Sequence, residues 1–316
     1  VAPGRARRDY LLSAILAFGI PVAIFQVWRV GYFGSWLPNT FYAKATGSLA
    51  ARILSGGKYL ADFVVREGGL WVALAIVGVA SAAKRRELPL QLATGFLAAQ
   101  IFFILYCGGD WMALCRFMAP VLPFFFLLAA EGAVRLAAAL KDRKTQVIGL
   151  LVAAQFIAGG FLEAQATRPY LRGLENGNLY GQFYTLAAEL RDEYPPETLL
   201  AGEEAGILPY LTEFRFLDLM GLTDAHLAKQ PGGIHDKSDP EYVLGRKPDL
   251  VLLLLSEKWA QGTPPPAVTR AGRELLTRPR FLQEYELKRI IPRGDKSLWG
   301  ISYWYLYEKK PQENRD

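Results

Sequence analysis

Five apolar stretches, each close to the length of a bilayer crossing, fall before residue 163 and are divided by clusters of basic residues. A membrane-crossing helix needs about 20 mainly apolar residues. The stretches are Tyr10–Trp28, Gly69–Ala83, Leu88–Cys107, Ala119–Leu140 and Thr145–Leu162, with Pro21 a point where the first would kink. Backbone polar groups in lipid must be satisfied within each segment, so helices are the form open to such runs. After residue 166 acidic residues become common and short patterned segments replace the long runs. The expected fold class is a multi-spanning α-helical membrane domain over residues 1–166, followed by a small extracytoplasmic α/β domain over residues 167–316.

The formal net charge of +6 would suit nucleic-acid binding, but its placement argues against that. Arg5, Arg7 and Arg8 precede the first run, Lys84, Arg85 and Arg86 separate the second and third, and Lys141, Arg143 and Lys144 separate the fourth and fifth. Basic clusters in alternate loops put those loops, and the N-terminus, in the cytoplasm and the C-terminal domain outside. No basic-aromatic motif for nucleic acid accompanies them. The chain begins at Val1 without a cleavable signal and reads as a piece of a longer protein.

This topology leaves two loops outside, residues 29–68 and 108–118. The first carries a helix over Ser48–Arg66, on which Leu49, Ile53, Leu60 and Val64 share a face. That pattern suits a helix lying in the interface plane, or one packed on the outer domain. The second is the run Cys107-Gly-Gly-Asp-Trp-Met-Ala-Leu-Cys-Arg-Phe117. Its two cysteines are read as free thiols packed at helix ends, with a small-loop disulfide as the alternative. Glu131 and Arg135, four residues apart in the fourth run, are placed to pair on one helix face.

Beyond residue 166 the pattern predicts a helix over Asn178–Tyr194 and strands over Thr198–Ala201 and Arg215–Met220. Helices follow over Asp224–Lys229 and Pro240–Gly245. Asp249–Leu255 is an acid followed by six apolar residues, the mark of a strand buried on both faces. A helix over Ala267–Leu276 precedes an alternating pair, Gln283–Ile291 and Leu298–Glu308, read as a hairpin. The loop His235-Asp236-Lys237 reads as solvated.

No nucleophile elbow, P-loop, dinucleotide fingerprint or Cys/His zinc pair is present, and His226 and His235 are the only histidines. The remaining chemistry lies at the outer membrane face. Asp110 can accept sugar hydroxyls or orient Arg116. Arg116 and Lys44 can hold a phosphate by charge-assisted hydrogen bonds. Trp111 can offer a face to a sugar ring, or serve with Trp36 and Phe117 as an interfacial belt.

Four motifs occur in order: Leu37-Pro-Asn-Thr-Phe-Tyr-Ala-Lys44, Gly108-Gly-Asp-Trp-Met112 with Arg116-Phe117, Asp218-Leu-Met-Gly-Leu-Thr-Asp-Ala-His226, and Tyr242-Val-Leu-Gly-Arg-Lys-Pro-Asp249. Together they resemble bacterial multi-spanning glycosyltransferases of the GT-C class, in particular relatives of the terminal arabinofuranosyltransferase of mycobacterial cell walls. The resemblance implies transfer of a sugar from a polyprenyl-phosphate donor to an envelope glycan, in the bacterial cytoplasmic membrane. It places Asp110, Arg116, Lys44, Trp111, Asn39 and Tyr42 toward the donor, and Asp218, Asp224 and His226 toward the acceptor. Asp224 and His226 have a second reading, as a helix cap and its packing neighbour. No metal ligand set is assigned, and a divalent cation stays open as a cofactor. The principal carboxylate of that class sits in a first outer loop, which is expected upstream of Val1. The alternative is a non-enzymatic membrane protein whose outer domain binds glycan or a partner in envelope assembly.

Overall fold

The computed structural model describes residues 3–45, 47–67, 69–110, 115–139, 143–175, 181–260, 262–293 and 301–311. The first part is helical: α1 (Pro3–Phe33), α2 (Asn39–Lys44), α3 (Leu49–Glu67), α4 (Gly69–Arg85), α5 (Leu88–Cys107), a 3-10 turn over Arg116–Val121, α6 (Leu122–Ala139) and α7 (Arg143–Glu175). Among the described residues, three segments are long and apolar enough to cross a membrane: Ile15–Phe33, Leu88–Cys107 and Arg116–Ala139. A fourth is reached if Leu49–Arg66 and Gly69–Arg85, bent by 107° at their junction, count as one span. Five were expected. α4 alone has 17 residues, and in α7 the described apolar segment is Val152–Leu162. α7 also runs straight through residue 166, so the change of texture occurs within one helix.

The helices pack through small residues. A Cβ on Gly78 would stand 1.9 Å from the Leu128 carbonyl oxygen, and one on Gly132 would stand 1.9 Å from that of Leu74. α4 and α6 therefore touch backbone to backbone, a close approach that small residues permit. Gly56 does the same for α3 on α5, its Cβ position lying 2.6 Å from the Ile104 carbonyl oxygen. Glu131 pairs with Arg135 at 2.6 Å and accepts from Ser81 Oγ of α4 at 2.7 Å, so the expected pair also ties two helices.

The packed face of α3 differs from the expected one. Gly56, Tyr59 and Phe63 are buried, whereas Leu49 and Ile53 are exposed. Close approach at Gly56 selects this register, and apolarity alone does not reveal it.

The second part contains α8 (Gly181–Glu193), β1 (Leu199–Gly202), α9 (Ile207–Thr212), β2 (Arg215–Asp218), α10 (Ala225–Ala228), α11 (Pro240–Gly245), β3 (Leu250–Leu255), α12 (Arg270–Thr277), α13 (Pro279–Glu284), β4 (Tyr285–Pro292) and β5 (Tyr303–Lys309). The strands form one sheet in the order β2-β1-β3-β5-β4. β2, β1 and β3 are parallel, and β4–β5 is the expected antiparallel hairpin, with β5 also antiparallel to β3. All six residues of β3 are buried. Val251, Leu253 and Leu255 join one apolar layer with Leu217, Phe281 and Tyr305, while Leu250, Leu252 and Leu254 join another with Phe183, Leu190 and Trp304. A period of two in the strand thus feeds both faces. α9 and α13 were not foreseen. Both are six residues long, too short to show a helical period.

Candidate functional site

Gly108 ends α5 in the left-handed conformation, with φ at +90°, and Gly109 follows at +81°. Their N–H groups both donate to the Ile104 carbonyl oxygen, at 2.9 and 3.0 Å. Space restricts Gly109 as well, since a Cβ there would lie 2.8 Å from Tyr59 Cβ, whereas one on Gly108 would make ordinary contact with Arg52 Cα at 3.5 Å. The turn holds Asp110, whose side chain is 1% exposed, with its Oδ2 ion-paired to Arg116 Nε. Arg116 remains accessible, its guanidinium 5.8 Å from the Phe117 ring centroid. The Phe117 N–H donates to Tyr59 Oη at 2.9 Å, and its carbonyl accepts from Gln100 Nε2, so α3 and α5 both hold the turn.

Two polar atoms flanking this turn are buried without a hydrogen-bond partner among the described residues: Asp110 Oδ1 and Arg52 Nε. Arg52 also donates through Nη1 to the Tyr106 carbonyl at 3.1 Å and lies over the Tyr106 ring at 5.0 Å. Buried polar groups are nearly always satisfied, so each of these atoms calls for a partner, a water or a polar ligand. A carboxylate oxygen takes a hydroxyl hydrogen, and a guanidinium N–H takes an anionic oxygen. Sequence reading missed Arg52 because the register of α3 was not legible.

Of the other expected donor-side residues, Trp111 lies outside the described residues. Asn39, Tyr42 and Lys44 lie on α2. Phe41 of this helix stacks on Tyr106 at 5.8 Å, which joins α2 to the same end of α5. Among the described residues, Lys44 forms no ion pair with Asp110. The opposite side of α2 packs on α10 of the sheet domain. There Lys229 Nζ stands 5.8 Å from the Tyr42 ring centroid, and Lys237 Nζ donates to the Tyr42 carbonyl at 3.3 Å and to that of Gln230. Lys237, expected in solvent, is instead 2% exposed. Burial pushes the pKa of its ammonium down.

The expected acceptor-side residues are engaged within the sheet domain. Asp218 is wholly buried and accepts from the N–H groups of Met220 at 2.9 Å and Thr223 at 2.8 Å, which shapes the loop after β2. Burial raises its pKa, and those hydrogen bonds oppose the rise. Asp224 caps α10, accepting from His226 and Leu227 N–H groups, and also accepts from Tyr242 Oη at 2.9 Å. His226 Nε2 lies 2.7 Å from Asp239 Oδ2, and its ring stacks on Tyr242 at 4.0 Å. Asp239 caps α11, and its hydrogen bond from His226 holds its carboxyl below the usual range. The two caps therefore brace α10 against α11. His226, 44% exposed in its side chain, is the accessible member.

Glu203 was not singled out from the sequence. It follows β1, where the parallel strands diverge to β2 on one side and β3 on the other, the usual place for functional groups in such sheets. It is 3% exposed and accepts from the Leu254 N–H at 3.0 Å and from Thr269 Oγ1. Burial raises its pKa to about 7. Its neighbour Glu204 pairs with Arg293 at 3.1 Å and accepts from Trp304 Nε1 at 3.0 Å. At the opposite ends of β1 and β3, Tyr194, Glu197, Asp249, Glu308 and Lys310 line an open cavity of about 620 Å³. Among the described residues no three Cys, His or carboxylate side chains converge as a metal site.

No curated protein and no solved structure matches the chain. Residues 174–307, the last two residues of α7 and the sheet domain up to Tyr307 of β5, match the family described as a domain of unknown function, DUF8728.

Proposed function

We propose that this chain belongs to a membrane glycosyltransferase that moves a sugar from a polyprenyl-phosphate donor to an envelope glycan. In this reading α4 and α7 also cross the bilayer of a bacterial cytoplasmic membrane, and the sheet domain lies outside. The orphaned Asp110 Oδ1, buried beside an accessible Arg116, carries the proposal. Asp110 accepts a sugar hydroxyl, and Arg116 and Arg52 face the phosphate. Fixed cations suit a departing phosphate because they need no reorganisation as its charge develops. The base that activates the acceptor is not assigned to a residue of this chain.

The test is titration of the full chain in lipid nanodiscs with farnesyl phosphate, with farnesol as the uncharged control. Arg116→Ala alone would strand a buried carboxylate, so the informative variant is Asp110→Asn with Arg116→Gln. Farnesyl phosphate affinity should fall about tenfold, the scale of one charged hydrogen bond, with farnesol binding and the melting temperature little changed. A lower melting temperature with unchanged farnesyl phosphate affinity would refute the site and leave the non-enzymatic reading, an outer domain that binds glycan or a partner.

A further inference from the structure

We propose that the sheet domain regulates the candidate site through α2, with Lys237 as the latch. The proposal rests on the headgroup reading for its consequence, though not for its geometry. A lysine ammonium is rarely withdrawn from solvent. Lys237 is, and it spends its hydrogen bonds on two carbonyls, Gln230 of its own domain and Tyr42 of α2. Lys229 faces the Tyr42 ring from the same side.

From Tyr42 the contacts continue without a gap. Phe41 packs edge to face on Tyr42 at 5.9 Å and stacks on Tyr106. Tyr106 holds Arg52 by its carbonyl and by its ring. Arg52 lies beside Gly108, the residue that turns the chain toward Asp110: a Cβ there would stand 3.5 Å from Arg52 Cα. Tyr106 adjoins Cys107 and Gly108 in the chain, so a shift of its ring bears on both Arg52 and the start of the turn. The domain can thereby set where the orphaned Arg52 Nε points. Energetic coupling travels through such packed chains when both ends bias one element, here α2. Coupling is also reciprocal: whatever fills the headgroup site must bias the docking of the sheet domain.

The test uses the full chain in nanodiscs and reads the turn through Cys107, in a Cys115→Ser background. Lys237→Met removes the latch and keeps the apolar stem. Phe41→Ala cuts the relay from the other side without touching the sheet domain. Each should raise the rate of Cys107 labelling by a small maleimide at least about fivefold, the lower end of coupling between sites. Combined, they should raise it no further than the larger single change. Multiplying effects, or a rise in only one of the two variants, would overturn the relay, as would unchanged rates in both. Farnesyl phosphate affinity should fall about fivefold in Lys237→Met. If the parent chain takes up no farnesyl phosphate, the headgroup reading fails while the thiol rates still decide the latch.

Discussion

The helical region and the sheet domain both bury apolar side chains but differ in their closest approaches and in what they expose. In the sheet domain the large side chains are inside: Trp304, Phe281, Tyr305 and every residue of β3 are buried. In the helical region the closest contacts are made by glycines 56, 78 and 132 against backbone carbonyls, while Phe18, Phe25, Phe102, Phe156 and Phe161 are exposed. In the proposed reading, one chain carries both arrangements because the two parts answer to different solvents. Water drives apolar side chains inward. Hydrocarbon does not, so helices in it associate through close backbone fit. On that reading the exposed phenylalanines face lipid, where on a water-soluble domain they would be an aggregation hazard.

The comparison breaks most visibly at Gly132. Gly132→Leu places a side chain where a Cβ already lies 1.9 Å from a backbone oxygen, so α4 and α6 must part. We expect loss of the monodisperse protein in detergent size-exclusion chromatography. Gly95→Ala, in a helix position with nothing within 4 Å, should be neutral or gain up to about 1 kcal/mol. If both variants elute as the parent does, the backbone contact does not carry the bundle.

Next in size is the contrast between two aromatic truncations. Trp304→Ala empties the sheet core, removes one hydrogen bond to Glu204 Oε2 and removes the ring beneath Arg293, and should cost about 3–5 kcal/mol in chemical unfolding. Phe102→Ala, on the exposed face of α5, should change stability in detergent by under about 0.5 kcal/mol. Equal losses would mean that the face of α5 bearing Phe102 is covered by another surface.

The third prediction concerns pH and belongs to the sheet domain. The folded-state pKa of Glu203 is raised above the ordinary value, so the folded domain keeps a proton that the unfolded chain releases. Its contribution is complete below pH 4.5 and declines as pH rises to about 7, with no further change above that. The swing is about 3 kcal/mol. Glu203→Gln can keep the bond from the Leu254 N–H and offer its own N–H to Thr269, so it should remove that slope. Near-UV circular dichroism melts of both proteins at pH 4.5 and pH 8 measure it. The same slope in both would assign the dependence to other carboxylates.

Much of this architecture was legible in the chain. The apolar run after Asp249 specified a strand buried on both faces, and β3 is the centre of the sheet. Asp224 followed by Ala-His-Leu spelled a capped helix, and Asp239-Pro240 did the same for α11. Asp110 and Arg116 were matched as an acid and a base six positions apart, and they pair. The illegible parts share a cause. Short helices such as α9 lack a period, and the inward face of α3 depends on Gly56 meeting a helix some 50 residues later in the chain.

The sequence by itself determined where the chain is helical bundle and where it is sheet, because periodicity and hydrophobic segregation are local properties that each segment carries alone. It also determined the acid, base and glycines of the turn after α5. Only the tertiary structure decided that Arg52 faces this turn, that Lys237 is withdrawn from solvent to hold α2, and that Glu203 is sealed between β1, β3 and Thr269. Each of these is a polar group whose environment comes from residues 50 or more positions away, as Arg52 to Tyr106, Lys237 to Tyr42 and Glu203 to Leu254 show. Burial of a charge is a property of the neighbours, and neighbours at that separation exist only once the chain has folded.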